Sequence, residues 1–215
     1  MKIKAVLILS LLVFSCQSLP KIIDAPRAGD TTCPFPFLKE RQRLIHAIEI
    51  RLPGNITSTV IGITLADPVS REVSCAIMTA EGMVLFEAEE NSGLLTVNRA
   101  LPPFNSENFS RKMIDDIKVI FFAPKGKIYQ SGLLPEGETV CRWLEDDGKW
   151  IDVSASREKD ISVKLYTAEG AIKRHITFIS ARDKDNIYRR VELHAEERTN
   201  YSLVMTLIEA QSFGN

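Results

Sequence analysis

Ser106-Glu107-Asn108-Phe109-Ser110-Arg111-Lys112-Met113-Ile114-Asp115-Asp116-Ile117-Lys118-Val119-Ile120-Phe121 is the stretch on which the reading of the fold turns. Phe109, Met113, Ile117 and Phe121 recur at i, i+4, i+8 and i+12, the spacing of an apolar stripe on one helix. Ser106 can cap that helix with its hydroxyl, and Pro124, which has no N–H to donate, ends it. Arg111, Lys112, Asp115, Asp116 and Lys118 take the solvent side. On either side of this stretch the apolar period is two rather than 3.6.

Upstream, the pattern predicts strands over Leu44–Arg51, Thr57–Leu65, Glu72–Thr79, Met83–Glu89 and Leu94–Arg99. Each is β-branched or apolar and bounded by Pro, Gly, Asn or Asp. Val84, Phe86 and Ala88 alternate with Leu85, Glu87 and Glu89, so one face is apolar and one wetter. Val60-Ile61-Gly62-Ile63 alternates less clearly and reads as a strand covered on both faces. Downstream, strands are expected over Thr139–Leu144, Trp150–Ser154, Ser162–Thr167, His175–Ser180, Tyr188–His194 and Tyr201–Ile208. Asp146-Asp147-Gly148-Lys149 and Ala168-Glu169-Gly170 are hairpin turns. Leu203, Met205 and Leu207 alternate with Val204, Thr206 and Ile208, which suits a central strand. The class is mainly β, of the α+β kind, in one domain.

The chain has 215 residues, with 27 Lys and Arg against 28 Asp and Glu. Binding to nucleic acid needs a surplus of positive charge to displace counterions from phosphate, and no such partner is implied. Three His and four Cys occur, none at a metal-ligand spacing, so no metal site or cofactor is read here. Lys2 and Lys4 precede the apolar run Ala5–Phe14, the pattern of a secretory signal too short to span a bilayer. It ends in Leu12-Val13-Phe14-Ser15-Cys16, which resembles the lipobox of a bacterial lipoprotein. That resemblance implies acylation of Cys16 and a lipid anchor in the membrane. Gln17, rather than Asp, follows the cysteine, and by the sorting rule of such proteins this implies the outer membrane, facing the periplasm. The other reading is an ordinary signal cleaved nearby.

The expected organisation is therefore a signal over 1–15, a lipidated start and Pro-, Asp- and Gly-rich spacer over 16–38, and a folded domain over 39–215. Export meets an oxidising compartment. Cys33, Cys75 and Cys141 then leave two alternatives open, one disulfide with a free thiol or three thiols. Asn55, Asn108 and Asn200 head glycosylation triplets that a bacterial route would not use.

His46, His175 and His194 fall on separate strands and form no triad with a nucleophile. Asp115-Asp116 reads as a solvated helix flank, and Lys173-Arg174 and Arg189-Arg190 as solubilising pairs on edge strands. Trp143 and Trp150, either side of one turn, are expected to pair across it, the alternative being an exposed interfacial contact. No enzyme is read from these residues.

Gly82-Met83-Val84-Leu85-Phe86-Glu87-Ala88, Ser92-Gly93-Leu94-Leu95-Thr96-Val97, Leu101-Pro102-Pro103 and Asn200-Tyr201-Ser202-Leu203, together with the order of elements, resemble an uncharacterised bacterial lipoprotein family with a LolB-like fold. The resemblance covers roughly residues 40–210. What it implies is a LolA/LolB-like half-barrel, a strongly curved antiparallel sheet of about 10–11 strands with one or two lid helices, enclosing an apolar cavity. It further implies acyl chains of lipids or lipoproteins as the partners, with Phe86, Phe109, Met113, Ile117 and Phe121 at the cavity or lid. Glu81 and Met83 fall on the loop matched to the membrane-touching loop of LolB. A carboxylate such as Glu81 does not enter a bilayer, so the implied function is lipid or lipoprotein binding as a carrier or an accessory to insertion, rather than the membrane-inserting step of LolB itself. A second class of reading is a tethered module that binds an envelope protein through an exposed apolar patch.

Overall fold

β1 (Gln42–Leu52) opens with Gln42, Leu44 and His46 buried between half-exposed neighbours, the signature of a sheet with one covered face. The computed structural model describes residues 19–24, 32–158, 160–179, 187–196 and 200–213, so the signal and Cys16 lie outside the described residues. After β1 come β2 (Ile56–Asp67), β3 (Glu72–Met78), β4 (Val84–Asn91) and β5 (Leu94–Ala100), then α1 (Glu107–Phe121). The second series is β6 (Lys127–Leu133), β7 (Thr139–Leu144), β8 (Trp150–Ala155), β9 (Ile161–Tyr166), β10 (Ile172–Ile179), β11 (Arg190–Ala195) and β12 (Tyr201–Ser212). Among the described residues these twelve strands form one sheet in the order β5-β4-β3-β2-β1-β12-β11-β10-β9-β8-β7-β6. Every neighbouring pair is antiparallel.

Only the β1–β12 junction joins strands far apart in sequence, and β12 is central as its two apolar faces predict. The chain thus leaves the sheet at one edge, β5, and re-enters at the other, β6, with α1 as the connection. The helix reaches both halves. Lys118 pairs with Glu90 of β4, while Asp116 pairs with Arg174 of β10. One core cluster takes Phe86 and Ile77 from the first half and Ile176 and Leu193 from the second. The sheet therefore bends around the helix, and register shifts in five of its ladders supply local bending.

The expectation of 10–11 strands falls short by β6. That strand carries Ser131 and Gly132 and has little apolar alternation, being an edge with most of its residues exposed. Its partner explains the glycine: Ile23 and Leu133 exchange two backbone hydrogen bonds of 2.8 Å, and a Cβ on Gly132 would stand 2.2 Å from the Ile23 carbonyl oxygen. Ile22 is buried with Leu134 and Val140, and Phe37 and Leu38 belong to the main core. The described parts of the stretch read as a spacer are thus packed on the domain. Cys33 and Cys141 form a disulfide, and Cys75 is a buried thiol whose pKa burial pushes up to about 12.

Other expectations are corrected by register. Val60 and Gly62 are buried while Ile61 and Ile63 are half-exposed, so β2 is covered on one face only. Trp143 stands opposite Ile151 and Trp150 opposite Leu144. One residue of offset puts the two indoles on opposite faces, and Trp150 instead meets Tyr129 edge-on at 5.1 Å.

Candidate functional site

The helix begins as its sequence dictates: the Ser106 hydroxyl accepts the Phe109 N–H at 3.3 Å. Its buried side runs through Ser110, Ile114, Ile117, Ile120 and Phe121. A strict i+4 series drifts by about 40° per step on a helix of 3.6 residues per turn, so the stripe starting at Phe109 spirals into the core only by Ile117. Phe86, Ile117 and Phe121 are buried in the main core, and Phe109 and Met113 are half-buried against it. Phe86 and Phe109 meet edge-on at 6.1 Å. All five residues expected at a cavity or lid are therefore in or against the packed core, between α1 and the strands. Glu81 and Met83 stand on the β3–β4 turn, where Met83 is 55% exposed and the Thr79 hydroxyl holds the Glu81 carboxyl below the usual range.

The opposite flank of the helix does not meet the sheet so closely. A cleft of about 450 Å³ opens there between α1 and the β8–β10 part of the covered face. Its apolar lining is Val119, Phe122, Ala123 and Pro124 on the helix side and Ile151 and Leu165 on the sheet side. None of the five expected cavity residues lines it. By contrast, the void lined by His46, Phe121 and Phe178 is only about 10 Å³, too small for a ligand.

At the margin of the cleft a buried clasp joins helix to sheet. Arg174 Nε donates to Asp116 Oδ1 at 2.6 Å, the Tyr201 hydroxyl donates to Asp116 Oδ2, and the guanidinium lies 5.6 Å from the Tyr201 ring centre. Burial raises the Asp116 carboxyl above its ordinary range, while the guanidinium and the hydroxyl pull it back. Neither residue is the surface group that its neighbours in sequence imply. On β10 the register shifts between Ile172, opposite Tyr166, and Arg174, opposite Leu165. Lys173 is the extra residue, and beyond it Arg174 alternates in phase with the buried Ile176 and Phe178, which puts it on the covered face. β10 lies inside the sheet between β9 and β11, not at an edge. The strand read from alternation began at His175, which left Arg174 outside it in a solubilising pair, so the clasp was not legible there.

The outer face holds a separate polar group. His175 Nε2 lies 2.9 Å from Ser162 Oγ, and His175 faces His194 across β10–β11 with ring centres 6.5 Å apart. Burial, then Lys164 and His194, lowers the His175 pKa. Neither His lines the cleft. Among the described residues no group of three or more His, Cys, Asp or Glu could hold a metal, and no helix is long and apolar enough to cross a membrane.

No family model matches the chain, and no curated protein matches it. A solved structure does: that of LolA superfamily protein NE2245 from Nitrosomonas europaea, with a TM-score of 0.54 and 9% sequence identity over 83% of this chain and 89% of that chain. The fold is LolA-like. At that identity the likeness carries the arrangement of sheet and helix, and the cleft is described from this chain's own residues.

Proposed function

We propose that this chain binds the alkyl part of a lipid or of an acylated protein in the cleft between α1 and β8–β10, and does no chemistry on it. The carrying observation is the 450 Å³ space with Val119, Phe122, Ile151 and Leu165 on its walls, open where the rest of the covered face is packed. Such a volume lies within the range of ligand sites, roughly 300–1,000 Å³. Alkyl surface moved there from water gains about 25 cal/mol per Å², enough to hold a molecule that does not travel freely in water. The sequence supports the setting: an acylated Cys16 would anchor the chain in the outer membrane on the periplasmic side, where a carrier or an accessory to lipoprotein insertion would work. Mass spectrometry of the purified protein under native conditions tests the reading. A copurifying alkyl species is expected, and repeated recovery of the bare chain would overturn it.

A second reading, the tethered module for an envelope protein, draws on one observation. Ile128 and Tyr129 on the edge strand β6 are 52% and 66% exposed, outside the cleft. Recovery of a stable protein complex that Tyr129→Ser abolishes would favour it.

A further inference from the structure

The cleft is far more basic than the chain around it. Seven of its seventeen lining residues are Lys or Arg and four are Asp or Glu, whereas the whole sequence is close to balance. Three of the four acids are already engaged. Asp116 accepts from Arg174 and Tyr201, Asp147 from Lys149, and Glu145 Oε1 from the backbone N–H groups of Lys125 at 2.8 Å and Gly126 at 3.2 Å. The fourth, Asp115, faces the Lys118, Lys149 and Arg111 charges. Lys118 is paired with Glu90, which is not part of the lining.

The basic side retains capacity. The side chains of Lys125 and Lys173 make no ion pair among the described residues. Arg71 stands in the β2–β3 turn at φ +59°, with its guanidinium 5.2 Å from the Phe122 ring centre and Nη1 donating to the Ala123 carbonyl at 2.9 Å. Its Nε is buried and has no partner among the described residues, with Glu145 the nearby countercharge. A buried donor of this kind costs free energy unless an acceptor arrives. The positive charges of Arg71, Lys125 and Lys173 thus line the same cleft as the apolar walls.

We infer that the cleft seats the anionic head group of an amphiphile, a phosphate or carboxylate, against Arg71, Lys125 and Lys173, with its first alkyl carbons on Phe122, Ile151 and Leu165. The inference rests on the alkyl-binding reading and adds the class of head group. Calorimetric titration of the full chain with dodecyl phosphate, dodecyl maltoside and inorganic phosphate tests it. Dodecyl phosphate is expected to bind about tenfold tighter than the neutral maltoside, the scale of one charge-assisted contact. The Lys125→Gln/Lys173→Gln variant should lose that preference and keep its affinity for dodecyl maltoside. Equal binding of the two detergents by the native chain would overturn the head-group inference and leave the alkyl reading standing. Retention of the preference in the variant would overturn the assignment to this cleft. Inorganic phosphate binding as tightly as dodecyl phosphate would overturn the amphiphile in favour of a free anion. Failure of both detergents to bind would overturn the alkyl reading itself. Should the variant not fold, salt supplies the readout: affinity for dodecyl phosphate, but not for dodecyl maltoside, should fall with added NaCl.

Discussion

The two flanks of α1 face the same sheet and are treated in opposite ways. Toward β3 and β4 the helix is sealed: Ile114, Ile117 and Ile120 share one dry core with Ile77 and Phe86. Toward β8–β10 it stands off, leaving a charged cleft crossed at one margin by the clasp of Asp116, Arg174 and Tyr201. Packing on one side fixes where the helix lies. The polar clasp on the other fixes how far it stands from the sheet. A helix held in this asymmetric manner encloses space without filling it, which is what an alkyl-binding site needs.

Breaking the sealed flank should cost most. Phe86→Ala removes a wholly buried ring and is expected to destabilise the fold by about 4 kcal/mol, read as the shift in urea midpoint at unchanged slope. The clasp comes next, and it separates two meanings of a buried ion pair. Asp116→Ala removes the carboxylate that the buried Arg174 guanidinium meets on the helix and should cost about 3 kcal/mol, whereas Asp116→Leu combined with Arg174→Met should come within about 1 kcal/mol of the native chain. Loss of alkyl binding in that stable double variant would show that the clasp maintains the cleft and not merely the fold.

His46 gives a smaller effect, between the sealed core and the sheet. It is buried beside Phe121 at 6.1 Å between ring centres, and burial lowers its pKa from 6.5 to about 4. The unfolded chain therefore takes up this proton at a higher pH than the folded one. Stability from this group is full above pH 6.5 and is lost as pH falls toward 4. At pH 4.5 the loss is on the order of 2 to 3 kcal/mol. Urea titrations at pH 7 and pH 4.5 should show it, and in His46→Leu this part of the difference should vanish.

The strands and the helix are legible in the sequence, and the residues say why. Strand positions follow from alternation in runs such as Val84–Asn91, and the helix from Ser106, its apolar series and Pro124, because those signals are local. The sealed flank was legible as a stripe, although its four-residue drift made Phe109 look as deeply set as Ile117. The cleft was not legible. Its lining combines helix residues with Arg71 from a turn and with Ile151, Leu165 and Arg174 from three strands, and no local signal brings those elements together. The Trp143–Trp150 expectation failed for a related reason, since an offset of one residue across a turn reverses the face. Of the two alternatives open for Cys33, Cys75 and Cys141, one disulfide with a free thiol is found, and its pairing was not legible because Cys33 and Cys141 are 108 residues apart.

The most direct test of the whole account is where a bound chain lies. In an NMR sample with labelled Ile and Leu methyl groups and saturating dodecyl phosphate, nuclear Overhauser contacts are expected between the ligand's methylene protons and the methyls of Ile151 and Leu165. Contacts confined to exposed sites such as Ile128, or none at Ile151 and Leu165 at saturation, would contradict it.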